Sequence, residues 1–62
     1  MKINQEKDYT QAEIKELCKK YNRTTKEFGN FINGQTVGMK DGHIVYYGCD
    51  VYRFFNRMGV ID

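Results

Sequence analysis

The chain has no proline, a single histidine and only two cysteines in 62 residues, and each shortage removes a class of chemistry. Cys18 and Cys49 permit one bridge by arithmetic, but no dense cysteine spacing marks a disulfide scaffold. No C-x-x-C pair and no Cys/His cluster has the spacing of a zinc site, so no metal is expected. His43 stands beside a tight turn, where a catalytic imidazole would lack both an oriented partner and a cleft. Gly34-Gln35-Thr36-Val37-Gly38 is no phosphate loop, since no strand precedes it and no Lys-Ser/Thr follows. An enzyme is therefore not expected, nor is a cofactor. No apolar run approaches the ~18 residues of a membrane span, and residues 1–8 have no apolar core of the kind a signal peptide needs. The expectation is a cytoplasmic protein with reduced thiols.

Size sets the next bound. At 62 residues the chain is one domain with a small core, because a chain this short buries only about 60% of its unfolded surface. Five Tyr and four Phe supply large buried areas to such a core. The net charge of +2 says little, but its distribution says more. Between Lys15 and Lys26, five cations (Lys15, Lys19, Lys20, Arg23, Lys26) face only Glu16, a local excess of +4. That window suits a polyanion. It suits equally a solvated helix face in which Glu16 pairs with Lys20.

Three helices and a hairpin can be read from local signals. Residues 1–8 are polar and unpatterned and are expected to form a flexible tail, with Ile3 tucked against the body; 9–62 form the domain. Thr10 and Glu13 make a capping box, and Tyr9 with Ile14 a hydrophobic staple. Ile14, Leu17, Cys18 and Tyr21 continue one apolar stripe, so the first helix is expected over 11–21. Asn22 follows as a left-handed stop, and Thr24 with Glu27 opens a second capping box only two residues later. Phe28, Phe31 and Ile32 give the second helix, 25–33, one narrow apolar face, and Gly34 stands at its stop. Two helices joined by two residues must cross, as in a helix-turn-helix.

After Gly34 the apolar period changes to two. Asp41-Gly42 between Thr36–Lys40 and His43–Tyr47 predicts a type I′ hairpin over 36–47. Its register pairs Met39 with Ile44 and Val37 with Tyr46, and puts those four on the core side. Asp50 is the expected N-cap of a third helix, 51–58, with Val51, Phe54, Phe55 and Met58 inward and Gly59 at its stop. The fold class is thus α+β in the order α-α-β-β-α.

Taken together, Tyr9-Thr10-Gln11-Ala12-Glu13-Ile14, then Phe28 with Phe31-Ile32, then Met39 to Tyr46, then Asp50-Val51-Tyr52-Arg53-Phe54-Phe55 resemble a small winged helix-turn-helix. The resemblance is to the excisionase type, related to the DNA-binding part of mercury-resistance regulators, and covers about residues 9–58. It implies that the second helix enters the major groove and that the hairpin tip touches the adjacent backbone or minor groove. Carried over by position, Thr25, Lys26, Gly29, Asn30 and Asn33 lie at the groove, and Lys40 and His43 at the wing tip. Lys19, Lys20 and Arg23 would contact phosphates, while Asn30 and Asn33 would read base edges.

The expected partner is double-stranded DNA, and the expected role an excisionase-like protein or transcriptional regulator from a phage or other mobile element. A footprint this small needs a dimer or repeated copies along the duplex to bind tightly. The second helix carries no Arg, and this motivates a rival: a phage-encoded inhibitor or adaptor that uses the same fold on a protein partner, its tyrosines at the interface. Tyr47 and Tyr52 are also candidates for stacking on unpaired bases.

Overall fold

The computed structural model describes residues 3–60. Its elements run β1 (Asp8–Thr10), α1 (Gln11–Lys20), α2 (Thr25–Ile32), β2 (Gly38–Lys40), β3 (His43–Tyr47) and α3 (Gly48–Arg57). The architecture is α+β, three helices and a three-stranded antiparallel sheet in the order β1-β3-β2.

The local signals of the first two helices and of the hairpin turn act as read. Thr10 and Thr24 each accept from the amide three residues on, at 3.2 and 3.1 Å, and Glu13 and Glu27 reach back to the threonine amides at 3.0 and 2.9 Å. Asn22 takes φ 57° after α1; its N–H bonds to Lys19 O at 3.3 Å and that of Arg23 to Cys18 O at 2.7 Å. These two bonds are the Schellman closure, here built on asparagine. Gly59 and Val60 repeat the pattern after α3, donating to Asn56 O and Phe55 O. After α2 the stop has another form. Asn33 (φ −59°, ψ 123°) and Gly34 (φ 87°) are the central pair of a type II turn, closed by Gln35 N–H to Ile32 O at 2.8 Å. Asp41 and Gly42 both have positive φ, 51° and 78°, as a type I′ turn requires.

The element order differs from α-α-β-β-α by one strand. Asp8–Thr10 pairs with β3, Tyr9 opposite Tyr46, so β3 is the central strand rather than the edge of a two-stranded wing. A three-residue strand has no period of its own; only the partner across the sheet creates it. Ile3 is buried as expected, and the chain then turns back through a bond from Lys7 N–H to Asn4 O, while Asn4 N–H donates to the buried Tyr9 hydroxyl.

The third helix also differs. It begins at Gly48, its N-cap position is Tyr47, and no side chain caps it. Asp50 lies inside the first turn, 8% exposed, with Arg53 at 3.7 Å, instead of serving as the cap. Gly48 is packed under the N-terminal segment, so the helix opens where that backbone passes over it.

The core is aromatic. Phe54 is fully buried and meets Phe28, Phe31 and Phe55 with ring centroids 5.2, 5.5 and 4.9 Å apart, and Phe28 stands edge-on to Tyr46 at 5.0 Å. Ile14, Leu17 and Cys18 bring α1 into the same cluster.

The hairpin register is the expected one at Met39–Ile44, but its ladder stops at Gly38–Val45, short of Val37–Tyr46. The core-side assignment holds for Tyr46 and fails toward the tip: Met39 is 67% exposed and Ile44 40%. The hairpin outruns the helices that would have covered them. Val45, on the opposite face, is buried instead, packed against Gly38, where an added methyl would come within 3.1 Å of Val45 and 3.4 Å of the Tyr47 ring.

Candidate nucleic-acid interface

The capping box at Thr24 fixes the phase of α2, and Phe28 locks that phase against Tyr46 and Phe54. The opposite side of the helix is thereby turned outward. Thr25, Lys26, Gly29, Asn30 and Asn33 are all exposed, and nothing lies within 4 Å of where a Gly29 side chain would begin. The surface they form is short, polar and rich in hydrogen-bond donors and acceptors. Asn30 and Asn33 are three apart and so share one strip of it.

The flanking cations divide into two kinds. Lys19 and Lys20 are exposed in the last turn of α1. Arg23 is not a free cation: it is half-buried, its guanidinium stands 3.8 Å from Glu27, and its Nε is enclosed without a partner. Arg23 therefore braces the α1–α2 turn, and only part of its guanidinium remains for an outside ligand.

The pair at the hairpin tip is placed differently. Lys40 and His43 oppose one another across the turn and are exposed. The register sets them on the face of Val45, away from the Tyr46 side on which α2 packs. Together with Thr10 and Gln11 they line an open groove between the start of α1 and the hairpin tip. On the α2 side of the hairpin stand Met39 and Ile44. The α2 strip and the hairpin-tip cations are thus two patches, joined only around the end of the hairpin. Sequence reading missed Met39 and Ile44 as exposed residues, because their period and hydropathy are those of a core strand.

The tyrosines are mostly structural. Tyr9 is buried, and Tyr21, Tyr46 and Tyr52 pack against the core; Tyr47, 37% exposed, overhangs Gly38. Both thiols are free. Cys18 is buried, which together with the Glu27 charge pushes its pKa up and keeps it a thiol, while Cys49 is exposed. Among the described residues there is no group of three or more His, Cys, Asp or Glu able to hold a metal ion, and no helix long and apolar enough to cross a membrane.

The chain matches no protein-family model, no curated protein and no solved structure at a level that would show kinship. Its geometry has to carry the functional reading.

Proposed function

We propose that the protein is a small winged helix-turn-helix that binds double-stranded DNA, with α2 in the major groove. The observation that supports this most is the uncovered Thr25, Lys26, Gly29, Asn30, Asn33 side of α2. Solubility alone calls for Glu and Lys at such positions, since they are the better helix formers. A mid-helix glycine with open space around it costs about 0.5–1 kcal/mol relative to alanine and has no use inside this fold. It is useful where another backbone must come close.

In this reading Asn30 and Asn33 pair their amides with adenine edges, and Lys19, Lys20 and Lys26 lie against phosphates. Lys40 and His43 reach the backbone beside the groove from the end of the wing. The setting is the cytoplasm of a cell carrying a phage or other mobile element, and the role is excisionase-like or regulatory.

The test is fluorescence anisotropy on pooled and random duplexes at low salt. Binding should weaken as salt rises, and replacing both Lys19 and Lys20 by Ala should make the dependence shallower by about two phosphate contacts. Asn30→Ala with Asn33→Ala should lower the preference among sequences more than the affinity for random duplex. Binding no stronger than that of a neutral control domain, or indifferent to salt, would end this reading.

The rival, a protein-binding module, draws on the Arg-free α2. Its second support weakens, since four of the five tyrosines are occupied in or against the core. A stoichiometric protein partner that survives nuclease treatment would favour it.

A further inference from the structure

The sheet has two edges, and they are not equivalent. On β1 the outward-facing backbone belongs to Asp8 and Thr10, because Tyr9 is the residue that pairs inward with Tyr46. That edge is closed. The Thr10 N–H is already held by the Glu13 carboxylate at 3.0 Å, and Asp8 adds a charge.

The β2 edge is open. Lys40 and His43 flank a two-residue turn and therefore exchange both ladder bonds; Gly38 and Val45 do the same one period further on. Met39, between them, sits in the non-bonded position, so its N–H and C=O point outward from the sheet. Its side chain, 67% exposed, lies beside Ile44 on the helix-bearing face. One residue thus offers both a free backbone pair and an uncovered apolar side chain.

We infer that this edge pairs with the same edge of a second copy of the chain, antiparallel and centred on Met39, to make a continuous six-stranded sheet. Three features select that occupant and that register. With the twofold axis normal to the sheet, Met39 opposes its own counterpart, and the two residues exchange their free N–H and C=O groups as a hydrogen-bonded pair. On the helix-bearing face, Ile44, Met39 and their symmetry mates line up in one apolar row between the two helical bodies. On the other face each Lys40 falls opposite Gly38 rather than opposite another Lys40, so like charges do not meet. Each Lys40 also approaches the Tyr47 ring that overhangs Gly38, an arrangement of cation and aromatic face. Centring the axis on Lys40 would oppose two ammonium groups, and centring it on Gly38 would set each Met39 against Val37, which precedes the strand.

The contact is small. Three residues a side and two apolar pairs fall below the ~1,200 Å² of stable complexes, so the dimer belongs to the range approaching about 1 mM. The contact uses no residue of α2 but shares Lys40 with the proposed DNA-facing hairpin tip, so the association is measured without nucleic acid.

The experiment is sedimentation equilibrium of the full chain in a Cys49→Ser background, without nucleic acid, from about 10 µM to about 1 mM. A monomer–dimer equilibrium is expected, and the Met39 amide should exchange with solvent more slowly as concentration rises. Met39→Lys and Met39→Glu should each weaken association by about tenfold or more, because each sets like charges face to face at the axis. Mixing the two variants should restore the dimer. Both should melt like the parent, since the side chain is mostly in solvent.

A parent that stays monomeric throughout overturns the inference. So do variants that associate like the parent, and a mixture that remains monomeric. Association that appears only when duplex DNA is added would assign the contact to assembly on DNA, and would overturn the free dimer while leaving duplex binding in place.

Discussion

Gly48→Ala should be the most damaging single-methyl change in this chain. Gly48 is buried at the start of α3, directly beneath the turn formed by residues 4–7. A methyl there would lie 2.5 Å from the Lys7 carbonyl oxygen, 2.9 Å from the Gln5 carbonyl carbon and closer still to the Asn4 carbonyl oxygen. All three are backbone atoms and cannot rotate aside. The turn is held at one end by buried Ile3 and at the other by β1, so relief means lifting the segment.

Lifting it exposes Ile3, at about 2 kcal/mol. It also breaks the Asn4–Tyr9 bond, at about 1 kcal/mol, while the Lys7–Asn4 bond moves with the turn. Against this roughly 3 kcal/mol, alanine's better helix propensity returns at most about 1. The net loss of about 2 kcal/mol compares with a total of about 3–9 kcal/mol for a domain of this length, and corresponds to a fall in Tm of about 8–16 °C. Thermal and urea unfolding followed by far-UV circular dichroism measure it. Gly29→Ala is the control: it meets nothing within 4 Å and should stabilise by about 0.5–1 kcal/mol. If Gly48→Ala unfolds within about 0.5 kcal/mol of the parent, the segment does not pack on α3 in this way.

Two further outcomes follow from the caps and the turn. Glu13 is held below the ordinary carboxylate range by the Lys7 ammonium and then by the Thr10 N–H, and Glu27 chiefly by the Thr24 N–H. A carboxylate with a lowered folded-state pKa stabilises above its unfolded value of about 4.3, and that contribution is lost as pH falls through the lower folded value. The melting temperature should therefore decline below about pH 4.3, and a Glu13→Gln, Glu27→Gln chain, which keeps both capping boxes, should show a shallower acid decline; identical acid limbs would contradict the assignment. Asp41→Asn keeps a residue that suits the type I′ turn and removes the carboxylate from the hairpin tip, so stability should hold, and under the proposed DNA-binding role affinity for duplex at low salt should rise about two- to fivefold. Unchanged affinity would place the tip away from the phosphates.

Whatever depends on neighbours three or four positions away was legible from residue order alone. The two capping boxes, the left-handed Asn22, the Asp41–Gly42 turn and the apolar stripes of three helices are all such interactions, and each stands where the pattern puts it. So was the outward side of α2: once Phe28 is inside, helical phase leaves Asn30 and Asn33 outside. Tertiary structure decided the rest. Asp8–Thr10 becomes a strand only because β3 lies beside it, and Asp50 loses its capping role because the N-terminal turn crosses Gly48 and starts the helix earlier. Arg23 is drawn into the α1–α2 turn rather than left to solvent. Met39 and Ile44 carry the pattern of buried strand residues, yet burial belongs to the layer above a side chain and not to the side chain itself; where the hairpin outruns the helices there is no layer, and the apolar face is left open.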